Sequence, residues 1–202
     1  MPKSPRIDNE VLLAAGLDTM ARTGKPLTRI PGFGRAMLYC LPNGERVRAR
    51  TCNDHILIIV ADSPAVDAKL NIEGTEWLLI VMPEVERTPG RIIAYLVPTQ
   101  VAVDAARLTH RTWLETNPNT RGGNTTWNLW FDENGPSKAN DFATKWKQYL
   151  LNSDDVRANE AVLNDSGQTG SVKAEVEAAR QRISKAAGVS PGAVKITIEF
   201  GA

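Results

Sequence analysis

The stretch RAMLYCLPNGERVRARTC, residues 35–52, decides how this chain folds. Two alternating runs flank Asn43-Gly44, a dipeptide suited to the positive-φ positions of a tight turn, so an antiparallel hairpin is predicted. A two-residue turn sets Cys40 opposite Val47 and Cys52 opposite Arg35. Side chains alternate across a strand. One face is then Ala36, Leu38, Cys40, Val47, Ala49 and Thr51, and the other is Arg35, Met37, Tyr39, Leu41, Arg46, Arg48, Arg50 and Cys52.

Working outward, Asp8 is suited to cap a helix in which Val11, Leu12, Ala15, Thr19 and Met20 share a face, ending near Gly24. Beyond the hairpin, HILIIVAD, EWLLIVMPE and RIIAYLVP are short continuous apolar runs, the pattern of strands buried on both faces. Thr99 begins a helix through about Glu115, with Ala102, Ala105, Ala106, Thr109 and Trp113 on its apolar side. TTWNLWFD alternates Trp127, Leu129 and Phe131 with Asn128 and Trp130, as a strand buried on one face does. Ser137 opens a predicted helix with Phe142, Trp146, Tyr149 and Leu150 on one stripe. The class expected is α/β, a mixed central sheet with an Asn-Gly hairpin, flanked by helices.

Polar residues 152–171 read as a linker, which divides the chain into a core domain at 1–151 and a helix-strand tail at 172–202. The 202 residues are 42% hydrophobic and 23% charged, enough for one well-buried core. Net charge is only +1, but residues 1–55 hold nine Lys and Arg against five Asp and Glu, so the positive charge gathers at the front. No secretory leader or spanning helix is legible, and the expectation is a cytoplasmic protein with no membrane partner. Cys40 and Cys52 do not face one another in this register and are expected as free thiols.

The arginine-bearing face carries the chemistry. Arg35, Arg46, Arg48 and Arg50 interleave with Tyr39, a composition suited to contacting phosphates and stacking on bases. The plainer alternative is a solvated strand face paired with nearby acids.

The element order, with GERVRART, GTEWLLIVMPE, RIIAYLVPTQV leading into a helix, and TTWNLWFD followed by ATKWKQYLL, resembles the restriction-endonuclease-like, or PD-(D/E)xK, superfamily over residues 8–150. That resemblance implies metal-binding carboxylates on neighbouring strands. This chain offers Arg48-Ala49-Arg50-Thr51 and Tyr39 there, so the resemblance implies a degenerate site with no cofactor. Other carboxylates, Asp54, Asp62, Asp67, Glu73, Glu76 and Glu84, lie near predicted strand ends, and Asp67-Ala68-Lys69 matches a short D-x-K pattern. A nucleophilic Cys52 would need His55 or His110 within hydrogen-bond reach.

The tail's Ala179–Ser190 segment looks like the first helix and turn of a helix-turn-helix, but Ile196-Thr197-Ile198 then alternates like a strand. The first functional expectation is a non-catalytic nucleic-acid-binding protein using Arg35, Tyr39, Arg46, Arg48 and Arg50. The alternatives are a nuclease with displaced carboxylates, or a module whose C-terminal strand captures a second copy or a protein partner.

Overall fold

A computed structural model describes residues 6–31, 37–117, 124–132, 141–151 and 157–158, together with Arg180, Ser184, Ser190 and Lys195. The chain separates into two compact units, residues 1–160 and 161–202. The predicted tail elements, the linker, Arg35 and the Ser137 cap lie outside the described residues, apart from those four single positions and residues 157–158.

In the first unit α1 (Asn9–Arg22) leads to β1 (Thr28–Arg29), β2 (Leu38–Cys40), β3 (Arg46–Thr51) and β4 (Ile56–Val60). Then come β5 (Trp77–Pro83), β6 (Gly90–Pro98), α2 (Thr99–Thr116), β7 (Thr126–Trp130), the short α3 (Phe142–Lys145), β8 (Leu150–Leu151) and β9 (Arg157–Ala158). The main sheet runs β1-β2-β3-β5-β6-β8, with β9 also on β6. Among the described strands only the β3–β5 pair is parallel, so the sheet is mixed and the α/β class holds.

Helix α1 starts as its sequence requires, with the Asp8 carboxylate accepting from the Glu10 N–H at 2.8 Å. Val11, Leu12, Ala15, Thr19 and Met20 are buried against one face of β3, β5 and β6. The approach is close at Gly16, where an added Cβ would stand 2.3 Å from Val81 Cγ2. Only a glycine fits there. Central β5 is buried on both faces, as its unbroken apolar run predicts. Leu79 and Val81 alternate with Leu78, Ile80 and Met82, which join Tyr95, Val97, Ala102, Val103 and Ala106 in the larger core.

The hairpin forms in a different register. Tyr39 pairs with Val47, and Cys40 with Arg46, one residue away from the predicted pairing. Pro42 explains the shift. A two-residue turn would pair Pro42 with Glu45 through a backbone N–H that proline lacks. Instead Leu41 donates to the Glu45 carbonyl at 2.8 Å and Gly44 donates to Leu41 at 2.9 Å, closing a three-residue connection with Gly44 alone at positive φ, 89°. A one-residue slip exchanges the faces of one strand relative to the other. Tyr39 therefore lies with Val47 and Ala49, not with the arginines, and Leu38 and Cys40 join Arg46 and Arg48.

A second correction concerns β4. Its apolar run predicts a place in the central sheet, yet β4 pairs with β7 in a separate two-stranded ribbon, Ile56↔Trp130 through Val60↔Thr126. Leu57 and Ile59 enter the core with Trp127 and Leu129. Ile58 and Val60 face out, 50% and 45% exposed. Helix α2 spans the predicted residues, but its buried stripe is Thr99, Ala102, Val103, Ala106 and His110, rotated from the predicted one. The predicted helix through Leu150 is four residues long, capped by Asp141 on the Thr144 N–H, and gives way to a 3-10 turn and β8.

Candidate functional site

Arg46, Arg48 and Arg50 share a face of β3, but they meet different surroundings. Arg46 is exposed and paired with Glu76 at 3.3 Å. Arg48 and Arg50 are half-buried and line a cleft of about 740 Å³ between β3 and the outer edge of β4. The Arg48 Nε is buried with no hydrogen-bond partner. Among the described residues Arg50 reaches a neutral acceptor, the Ile58 carbonyl, at 3.3 Å. Among the described residues neither guanidinium has a carboxylate partner.

Burial pushes the pKa of both arginines down, and the charge of Arg50 adds to that effect at Arg48. Guanidinium nevertheless stays protonated at any physiological pH. Two like charges held on alternate residues of one strand, about 7 Å apart along the backbone, make a strongly anion-seeking wall. The acids bordering this cleft are engaged elsewhere. Asp8 caps α1, and Asp54 accepts from Arg6 at 2.6 Å and from Arg87 Nε. That cluster also holds two residues at left-handed φ, His55 at 51° and Arg87 at 55°. The Arg87 N–H donates to the Asn53 carbonyl at 3.1 Å, and His55 Nε2 sits 2.6 Å from the Pro83 carbonyl oxygen. No protein-family model, curated protein or solved structure matches the chain.

The other predicted site residues are placed as follows. Tyr39 is buried on the opposite face, where burial raises its phenol pKa and Arg29 partly counters this. It offers no platform beside the arginines. Cys52 is buried, and desolvation pushes its thiol up to about 12, so it stays protonated at neutral pH. Neither histidine serves it. His55 is turned to Pro83, while His110 is buried, stacked 4.2 Å from Trp127, with Nε2 2.9 Å from the Pro64 carbonyl oxygen. Of the other carboxylates, Glu73 pairs with Arg107, Glu84 pairs with Arg91, and Asp62 accepts from the Lys69 N–H. Among the described residues no group of three or more His, Cys, Asp or Glu is placed to hold a metal. No described helix is long and apolar enough to cross a membrane.

Sequence reasoning missed the cleft's apolar wall, Ile58 and Val60. Their exposure depends on β4 leaving the sheet. Local periodicity does not carry that information, because an apolar side chain facing outward reads like one facing inward.

Proposed function

We propose that this protein binds nucleic acid, holding backbone phosphate on Arg48 and Arg50 without metal-dependent cleavage. The carrying observation is the pair of recessed guanidiniums with no carboxylate among the described residues to neutralise them. Such charges are costly to keep in a folded protein, and an anionic partner supplies the missing counter-charge. The reading without cleavage rests on these arginines standing where the nuclease resemblance would put carboxylates, since guanidinium repels a metal cation. Arg46 is a peripheral contact, since Glu76 already takes part of its charge.

The test is fluorescence anisotropy with labelled DNA and RNA at low and moderate salt, with and without Mg²⁺, followed by recovery of the oligonucleotides. Expected is binding that weakens with salt, intact oligonucleotide, and a salt slope reduced by roughly two phosphates' worth in Arg48→Gln/Arg50→Gln. Absent or salt-insensitive association refutes the proposal, and metal-dependent cutting replaces it with a nuclease.

A further inference from the structure

The β4–β7 ribbon joins the arginine cleft to a second cavity. Antiparallel partners share a face, so the ribbon's outer surface carries Ile56, Ile58 and Val60 from β4 beside Trp130, Asn128 and Thr126 from β7. The β4 side of this surface lines the arginine cleft. The β7 side lines a mainly apolar cavity of about 850 Å³ between the ribbon, α2 and α3, where Trp113, Trp127, Trp130, Phe142 and Trp146 converge. Ile58 lies directly opposite Asn128 and diagonal to Trp130. Among the described residues the outer face of the ribbon thus stands between two guanidiniums and an aromatic chamber, with Ile58 and Asn128 side by side on it.

We infer that this face takes a single-stranded nucleic acid, its phosphates on Arg48 and Arg50 and a base in the aromatic cavity against Trp130. The inference rests on the phosphate-binding reading and adds the form of the ligand. A charged wall on one side of the ribbon and an aromatic cavity on the other match the phosphate and base sides of a single strand, and aromatic stacking accepts any base. A duplex fits poorly on two counts. Its bases are stacked inside and unavailable to a side pocket, and its phosphates lie on a convex cylinder that meets recessed guanidiniums at a disadvantage. Lys145 and Phe142 both line this cavity, the ammonium 5.0 Å from the ring centroid.

The experiment uses the full chain with fluorescein-labelled oligomers of about ten nucleotides: deoxythymidine, uridine, and a duplex of equal length. Single strands are expected to bind at least tenfold tighter than duplex. Trp130→Ala should weaken single-strand binding by roughly five- to a hundredfold, the range of one lost stack, while Trp130→Phe retains most of it. Circular dichroism and thermal melts confirm that each variant is folded. A preference between the two sugars assigns DNA or RNA, and either assignment supports the inference. Equal or tighter duplex binding overturns the inference, as does unaltered affinity in folded Trp130→Ala. If Arg48→Gln/Arg50→Gln still abolishes that binding, the phosphate-binding reading survives and only the single-strand inference fails. If no oligomer binds at all, both fail.

Discussion

Replacing Arg48 by methionine should make the free protein more stable and the bound protein less so. The Arg48 side chain sits opposite Leu38 across the hairpin, and methionine keeps most of its aliphatic stem against that neighbour. What is removed is a guanidinium whose buried Nε has no acceptor and whose neighbour is a second positive charge. An unsatisfied buried donor costs roughly 1–3 kcal/mol, and the partly exposed head of Arg48 argues for the low end. The expected gain is about 1 kcal/mol, or roughly 3 °C in Tm for a chain of this size. The assay is thermal melting of wild type and Arg48→Met in chloride, repeated with inorganic phosphate. If phosphate occupies the cleft at ten times its Kd, the wild type gains about 1.4 kcal/mol and the variant less, so the advantage shrinks or reverses. Phosphate also stabilises proteins by exclusion from their surfaces, but that acts on both chains alike, so their difference isolates the site. A variant less stable than wild type by 1 kcal/mol or more in chloride refutes the reasoning, because Arg48 would then be serving the fold.

Three more outcomes are open to measurement. Gly16→Ala should destabilise by about 1–3 kcal/mol, since its Cβ would overlap Val81 Cγ2; pairing it with Val81→Ala should recover part of the loss, and strict additivity in urea melts would count against the contact. Native protein should yield at most one thiol to a disulfide reagent at pH 8, that of Cys40, with Cys52 reacting only on unfolding; two rapid equivalents would show Cys52 to be accessible. Burial raises the Asp54 carboxyl, but hydrogen bonds from Arg87 and Arg6 outweigh it, so its folded pKa is lowered and its contribution, full above about pH 4, is lost as pH falls through that lowered value. Asp54→Asn should therefore be less stable than wild type by on the order of 1–2 kcal/mol at neutral pH, with a gap that narrows in acid. A gap unchanged between about pH 5 and pH 2 contradicts this.

Much of the architecture is local and was readable. Asp8 and the spacing of Val11, Leu12, Ala15, Thr19 and Met20 specify α1, and the apolar run of β5 signals burial on both faces. The hairpin was readable in kind but misplaced by one residue, because Asn43-Gly44 suggested a tight turn while Pro42 forbade it. That slip moved Tyr39 off the candidate site and kept Arg48 and Arg50 together, since residues two apart on one strand share a face in any register. The ribbon was not readable, because the partner of β4 is β7 and nothing within Ile56–Val60 names it. Its consequences, the exposure of Ile58 and Val60 and their continuity with Trp130, are properties of a distant pairing.

That distant pairing also bears on when binding begins. Residues 56–60 pair with residues 126–130 across a stretch of chain that contains β5, β6 and α2. Closing so large a loop carries an entropic cost, and non-local pairings of this kind slow folding. The arginines need only β3 and its neighbours in the main sheet, whereas the wall opposite them needs β7 as well. A nascent or partly unfolded molecule would carry the charge without the groove, so selective binding would itself report that the protein is complete.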